Sequence, residues 1–393
     1  MKKYENKVII ITHSYPYDGM EFKGLFIKDQ AGWLSKRISV EVIAPRPRTF
    51  FFLKYFKSKW EKISRIPYST IIDNINVIRP KYILPPKRIL YPYVGWLFSR
   101  TVLRSVPSQP KAFHVHFVYP DGVVIPALKR KYPTSKVVLS VHGSDWYVNI
   151  QHNYLYKPIK KILTYADSIV VVSEKLKSDI IEKFSFTKDK LVVIPNALDI
   201  NTISDSNDIS YPEIWENRKN SPRILVVASY VKVKGIDILL KALSEIQEDY
   251  ELLIVGGIID ETYYNTLTSL KTELHLDKKV SFLAQQSREI LNTYYKSCDF
   301  FVLPSRTEGF GIVLIEAMSF GKPVVSTKSG GPEDIVEDYN GILADANDSV
   351  SLRLAILEML NKYHRYDPEL IRKTVYDKFG SENITDKIIE QYN

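Results

Sequence analysis

The stretch Arg306–Val325 reads RTEGFGIVLIEAMSFGKPVV. It follows DFFVLPS (299–305), a short apolar run with the character of a buried strand. Residues 312–320 are apolar enough for a packed helix. Gly321 sits at its C-terminal cap and Pro323 just beyond, the order in which helices stop. Gly309-Phe310-Gly311 supplies the turn between strand and helix. Strand, glycine turn and helix in that order make one repeat of a parallel α/β sheet.

Two glutamates frame the helix start. Glu308 precedes the glycines, and Glu316 lies inside VLIEAM, where a carboxylate is costly unless something bonds it. Free N–H groups and the helix dipole favour an anion at such a start, and glycines admit it close to the backbone. The spacing predicts a phosphate or diphosphate beside Gly309–Ile312. Glu316 would accept hydrogen bonds from hydroxyls of the same ligand, such as a ribose diol, and Glu308 would face its other end. A glutamate within a helix is usually solvated, and a lone Gly-x-Gly turn is a weak sign. The two together, after a strand and before a Gly-x-Pro stop, are far more specific.

The same rhythm extends outward in both directions. KVIIIT (7–12), VEVIAP (40–45), AFHVHF (112–117), KVVLSVH (136–142), SIVVVS (168–173) and LVVIPN (191–196) read as strands, most of them separated by helical stretches such as GLFIKDQAGWLSKRI (24–38). The rhythm breaks at SDSNDISYPEIWENRKNSP (204–222) and restarts with RILVVAS (223–229), YELLIVGG (250–257), KVSFLA (279–284) and DFFVLPS. This gives two doubly wound α/β domains, 1–203 and 223–379, joined by a linker at 204–222. The closing helical segment, 380–393, is expected to pack back on the first domain. Ligands of such sheets bind beyond the carboxyl ends of the strands, so the two halves are expected to face a central cleft.

A chain of 393 residues is long enough for two cores. The single cysteine, Cys298, permits no intramolecular disulfide and offers no metal-site spacing. Its apolar N-terminal run, Val8 to Ile11, is too short for a signal-peptide core, and no run is long enough for a membrane span. A cytoplasmic protein is expected. The net charge of +9 is local: from Arg46 to Arg104 there are 13 Lys/Arg against Glu61 and Asp73, an excess of 11, so the remainder carries −2.

The stretch PSRTEGFGIVLIEAMSFGKPVVSTKSGGPEDIV (304–336) resembles the nucleotide-sugar signature of glycosyltransferase family 4, a retaining family with the GT-B fold and an E-x7-E motif that falls on Glu308 and Glu316. YPYDGMEFKGLFIKDQAGWLSKR, HVHFVYPDG, LSVHGSD, IVVVSEKLKSDI and VVIPNALD resemble the family's first domain, so the likeness covers most of the chain. The resemblance implies two Rossmann-like domains and a UDP- or GDP-sugar donor. It also implies transfer without a metal or other cofactor, and no Asp-x-Asp triplet appears in the second half. Glu316 would bind the ribose and Glu308 would lie beside the transferred sugar. The backbone at Gly309, Phe310, Gly311 and Ile312 would hold sugar and diphosphate, with Lys234 neutralising the diphosphate and Gly256 near the base. Charge develops on the leaving diphosphate as the bond breaks, so a cation placed there favours the transition state. Ser229 stands where the family often has a second cation, an arginine. In the first domain His142 would touch the donor sugar or leaving phosphate, Asp145 would orient its loop, and Gly24 and His116 would lie on the acceptor side. His114 and His116, two apart on a strand, share one face. A metal pair there has no evident third ligand, so a structural role is favoured.

RTFFFLKYFKSKWEKISRI (48–66) is aromatic and basic at once. As a helix it would align Phe52, Phe56, Trp60 and Ile63, with Lys54, Lys57 and Lys62 mostly off that stripe. An anionic membrane surface contacted through 46–104 is therefore expected, with a lipid-linked glycan acceptor and a peripheral position on the inner face of the cytoplasmic membrane. A core helix with solvated lysines is the plainer alternative. No nucleic-acid module is readable, so nucleic acid is not expected as a partner. Two rival functions remain at this level: a nucleotide-sugar epimerase of the same fold, and an inactive membrane-bound scaffold.

Overall fold

The structure, a computed structural model, describes residues 5–18, 20–48, 63–83, 91–199, 215 and 221–393. The chain forms two compact units, Met1–Ala197 with Ser381–Asn393, and Leu198–Gly380. The aromatic and basic stretch 48–66 lies almost wholly outside the described residues. Of its predicted apolar stripe only Ile63 is described, and it is buried.

The strands of the first unit are β1 (Glu5–Ile11), β2 (Ser39–Ile43), β3 (Arg46–Pro47), β4 (Ser69–Ile72), β5 (Ile75–Ile78), β6 (Lys81–Tyr82), β7 (Pro110–His116), β8 (Lys136–Val141), β9 (Ser168–Val171) and β10 (Leu191–Val193). Eight of them form one sheet in the order β10-β9-β8-β7-β1-β2-β5-β4, and β3 pairs with β6 apart. All pairs are parallel except β4 with β5. The helices are α1 (Leu25–Ser35), α2 (Tyr91–Ser105), α3 (Ile125–Lys131), α4 (Ser144–Asn149), α5 (Asn153–Tyr165) and α6 (Glu174–Lys183). From β7 to β10 the sheet is built in one direction, and from β1 to β2 in the other. Right-handed crossovers therefore place α3, α5 and α6 on one face and α1 on the opposite face. With both faces covered, a strand can be apolar throughout, as Val8–Ile11 is.

The second unit has β11 (Arg223–Val227), β12 (Glu251–Gly256), β13 (Val280–Ala284), β14 (Phe300–Leu303), β15 (Val324–Thr327) and β16 (Gly341–Ala344). They form an all-parallel sheet in the order β13-β12-β11-β14-β15-β16. Its helices are α7 (Ile236–Ser244), α8 (Glu261–Glu273), α9 (Arg288–Ser297), α10 (Ile312–Ser319), α11 (Ser349–Lys362) and α12 (Pro368–Phe379). Asp260, Ser287, Asp348 and Asp367 cap α8, α9, α11 and α12 by accepting first-turn N–H bonds. Helix α10 stops one residue before the predicted end, with Gly321 in the left-handed region at φ 72°.

The closing helix, α13 (Ser381–Glu390), packs on α1. Ile384, Ile388 and Tyr392 enter the first unit's core beside Val8 and Ile27. The change of unit falls at 197/198 rather than at 203, because Leu198 N–H bonds the Phe379 carbonyl at 3.0 Å. Trp215, inside the predicted linker, is buried against Tyr294 with ring centroids 6.1 Å apart.

Strand order reverses between β1 and β7 in the first unit and between β11 and β14 in the second. At such reversals adjacent loops leave in opposite directions and open a crevice at the carboxyl ends. Gly235 shows how tightly the second one is built. Its φ is 66°, and a Cβ there would lie 1.9 Å from the Pro304 carbonyl oxygen. Gly235→Ala is expected to destabilise the second unit by roughly 1–3 kcal/mol, seen as a lower urea midpoint. Gly32→Ala, where a Cβ would meet nothing within 4 Å, is expected to be neutral or mildly stabilising. Equal midpoints for the two variants would contradict this packing.

Candidate functional site

In the second unit the predicted residues gather at the carboxyl ends of β11, β12, β14 and β15, around the strand reversal. Lys234 ends a short turn after β11, and Glu308 follows β14. Lys234 Nζ lies 2.5 Å from Glu308 Oε2. Both side chains are mostly covered, 25% and 15% exposed, so the pair is only partly screened by water. Two further contacts set this meeting. Arg306 N–H donates to the Val233 carbonyl at 2.8 Å, and Gly235 lets the lysine turn press on Pro304. Ser305 Oγ donates to the same Glu308 oxygen at 3.1 Å.

Glu308 is fixed through its backbone as well. Its N–H donates to the Ser329 carbonyl at 2.9 Å, and its carbonyl accepts from Gly331 N–H at 2.9 Å. The loop after β15 can come this close only as glycine, because a Cβ on Gly331 would lie 2.2 Å from Phe310 Cα. Phe310 is buried edge-on against Phe379. Gly311, at φ 101°, opens α10, and no side chain caps that helix start. Its first-turn N–H groups and dipole therefore present positive potential a few residues from the Lys234–Glu308 pair. An ammonium has three donors, so Lys234 can hold Glu308 with one and offer the others to an anion.

Glu316, about a turn into α10, is half-buried. Tyr295 of α9 donates its phenol O–H to Glu316 Oε2 at 2.8 Å. Tyr295 is itself buried, and burial together with the neighbouring carboxylate pushes its pKa well above the usual tyrosine range. It therefore stays a donor. This bond offsets the cost of a carboxylate in an apolar stretch. Tyr295 reads in the sequence as one more helix residue, and only the packing of α9 beside α10 reveals the partnership.

Gly256 ends β12, where a Cβ would lie 1.9 Å from the Ala228 carbonyl oxygen; it serves close backbone approach. Ser229 lies half-buried in the same loop system and brings no charge. Arg306, a cation of the neighbouring loop, is committed elsewhere. It grips Asp237 with two bonds of 2.8 and 2.7 Å, and Asp237 also accepts from Tyr263 at 2.6 Å. Ile312 is the first residue of α10, and Gly309 is buried.

In the first unit the predicted residues lie at the ends of β7 and β8. His142 follows β8, and its Nε2 lies 3.1 Å from His116 Nδ1 with the ring planes nearly parallel. His116 in turn stacks on His114, whose Nδ1 and Nε2 lie 2.7 Å from the Tyr392 hydroxyl and from Ser140 Oγ. His116 has no exposed surface. Its predicted place facing an acceptor is corrected: it stands behind His142, because its strand position points into the packed layer. Asp145 is buried and accepts N–H bonds from Val118 at 2.6 Å and from His142 at 2.9 Å, fixing both loops. Burial raises its pKa to about 6, against the lowering effect of these bonds. Gly24 starts α1 at φ 70°, with Ser14 carbonyl oxygen 2.1 Å from where a Cβ would be. Among the described residues no group of three or more His, Cys, Asp or Glu could hold a metal ion.

One pair at the first reversal escaped sequence reading. Asp121, with no exposed surface, accepts from His13 N–H at 3.0 Å and sits 2.6 Å from His13 Nδ1. Two residues 108 positions apart give no local signal; β1 and β7 becoming neighbours brings them together.

The whole chain matches solved structures of one architecture. Sucrose-phosphate synthase from Thermosynechococcus elongatus aligns with a TM-score of 0.77 at 20% identity, covering 99% of this chain and 98% of that one. HepE of Anabaena, solved in complex with UDP-glucose, aligns with a TM-score of 0.70 at 18% identity, covering 98% of each chain. The two sheets, one all-parallel and one parallel but for its β4–β5 edge, with these reversals define the GT-B fold. The model of the Glycosyltransferase Family 4 domain matches residues 24–202, and that of Glycosyl transferases group 1 matches residues 208–373. An uncharacterised glycosyltransferase of Methanocaldococcus jannaschii is 31% identical over 266 residues, covering 67% of each chain. A Bacillus subtilis glycosyltransferase named for teichuronic acid biosynthesis is 27% identical over 378 residues, covering 93% of this chain and 90% of its own. The chain belongs to glycosyltransferase family 4 and is a glycosyltransferase.

The histidine row makes the first unit sensitive to acid. Burial lowers the pKa of His114 and His142 to about 3 and takes His116 well below the usual histidine value. The unfolded chain protonates these rings below about 6.5. Their contribution is thus whole above that value and is lost as pH falls towards 3. Asp145 acts oppositely between about pH 4 and 6, but one carboxyl stands against three rings. The thermal midpoint is expected to fall between about pH 7 and about pH 4.5, and to fall less in His114→Gln. A midpoint that held or rose in acid would show that the rings are not buried in neutral form.

Proposed function

We propose that this glycosyltransferase moves a sugar from a UDP- or GDP-sugar to a hydroxyl of a lipid-linked glycan acceptor in cell-surface polysaccharide biosynthesis, with retention at the anomeric carbon and without a metal. The observation that carries the donor side is the Lys234–Glu308 pair beside the uncapped start of α10, with Glu316 held by Tyr295 one turn further on. A diphosphate at the helix start would meet Lys234 and the first-turn N–H groups. A ribose diol would lie against Glu316.

As the glycosidic C–O bond breaks, its electron pair passes to the leaving diphosphate. Lys234 and the N–H groups are aimed at that charge before it forms, so their stabilisation is greater in the transition state. Glu308 holds the ammonium in place and lies beside the transferred sugar. In the first unit His142 is assigned to sugar contact, with His116 setting its ring and Asp145 holding its backbone. The likeness to HepE, solved in complex with UDP-glucose, supports a nucleotide-sugar donor. The teichuronic acid relative supports a surface polysaccharide. A place on the inner face of the cytoplasmic membrane through 46–104 belongs to the same reading. No helix among the described residues is long and apolar enough to cross a membrane.

Thermal shift against UDP, GDP and ADP tests the donor side, since a nucleotide that binds the folded state raises its midpoint. One of UDP or GDP is expected to stabilise the protein. Glu316→Ala is expected to weaken that nucleotide about tenfold or more, roughly 1.4 kcal/mol. Lys234→Ala is expected to cut turnover roughly 10²–10³-fold while changing donor affinity less. Full activity in both variants would refute the site. Release of an altered sugar with no acceptor present would instead indicate an epimerase, and no turnover of any donor would indicate a scaffold.

A further inference from the structure

Helices α2, α3 and α5 come from three separate stretches, yet α2 packs on α3 and α3 on α5 in one layer over the same face of the first sheet. None of the three contains an Asp or Glu. The outward face of α5 is built from Tyr154, Lys157, Lys161 and Tyr165 along one stripe, with Tyr156 and Lys160 beside it, all exposed. Next to it α3 exposes Arg130 and Lys131, and α2 exposes Arg100 and Arg104. Among the described residues none of these seven cations has a carboxylate partner. Lys129, further in, is the cation of this layer that pairs with an acid, Asp167, at 2.9 Å. The opposite face differs: α13 carries Glu382, Asp386 and Glu390.

Aromatic side chains stand among the cations. Trp96 is 57% exposed, with the Arg100 guanidinium 5.2 Å from its ring centre, and Tyr154 and Tyr165 are 48% and 45% exposed. Tryptophan and tyrosine with lysine and arginine are the residues that settle at a bilayer's headgroup level: ring bodies enter the acyl boundary and cations meet the phosphates. The three acid-free helices lie side by side, and the acids of this face, Glu174, Asp179 and Glu182, are gathered on the neighbouring α6.

We infer that the α2–α3–α5 layer is a docking surface for an anionic phospholipid bilayer. The inference rests on the membrane partner proposed above and carries its surface beyond 46–104, across α2 onto α3 and α5; it needs neither the donor nor the acceptor to be known. Opposite charge draws the face to the lipid, and the exposed rings anchor it. Attraction of this kind weakens steeply with salt.

The test is co-sedimentation of the full chain with vesicles of equimolar phosphatidylglycerol and phosphatidylcholine, against vesicles of phosphatidylcholine alone. Binding is expected to the anionic vesicles only. The triple variant Lys157→Glu, Lys160→Glu, Lys161→Glu is expected to bind at least tenfold more weakly. Tyr154→Ser with Tyr165→Ser is expected to weaken binding severalfold while leaving its salt dependence. Lys36→Glu with Lys387→Glu, on the opposite face, is expected to bind as the parent does. All of these side chains are exposed, and an unchanged thermal midpoint verifies folding. Wild-type binding by the Lys157/Lys160/Lys161 triple, with loss on Lys54→Glu, Lys57→Glu, Lys62→Glu, would overturn this inference and leave the earlier membrane reading standing. Binding to a poly-dT oligonucleotide through the same lysines, with none to vesicles, would overturn both.

Discussion

The donor half of this molecule is organised around one ion pair. Lys234 and Glu308 leave adjacent parallel strands at the place where the sheet reverses direction, and each holds the other. An ammonium alone in such a crevice would swing between solvent and chain. Paired with a glutamate whose carboxylate accepts from Ser305 and whose backbone is held by Ser329 and Gly331, it has one position. Preorganisation of this kind spares the cost of arranging charge at the moment a bond breaks. The glycines at 235, 311 and 331 follow from it, since the loops carrying the pair must touch backbone to backbone.

The two units solve the same geometric problem with different chemistry. Both are sheets of mainly parallel strands whose reversal opens a crevice at the strand ends. In the second unit that crevice is lined by N–H groups, an ammonium and two carboxylates, a set that suits a phosphorylated, hydroxyl-rich ligand. In the first it is bordered by a row of neutral histidines, the His13–Asp121 pair and the buried Asp145, with burial holding the ring pKa values down and the Asp145 value up. Neutral rings suit hydrogen bonding with sugar hydroxyls better than the capture of a charge.

Ser229 brings no charge where the resemblance led a second cation to be expected, and among the described residues neither Arg306 nor Lys232 takes that place. Arg306 is locked to Asp237, and Lys232 is exposed with its carbonyl engaged by Arg306. The positive potential at the start of α10 is thus joined by one ammonium, that of Lys234. Why this chain carries the serine has no account in the structure.

The sequence alone determined the alternation of strands and helices, the division into two α/β units, the turn at 309–311 and the pair of glutamates around it. These are local features, written in apolar periodicity and in glycine and proline punctuation, so they survive without knowledge of distant contacts. What compensates Glu316, what orients Lys234, why His116 lies behind His142, and where Asp121 finds His13 were decided only by the tertiary structure. In each case the partners come from different strands or helices, separated by 21 to 108 residues. The acid-free layer of α2, α3 and α5 is of the same kind: three unremarkable segments become one charged face because right-handed crossovers lay them side by side.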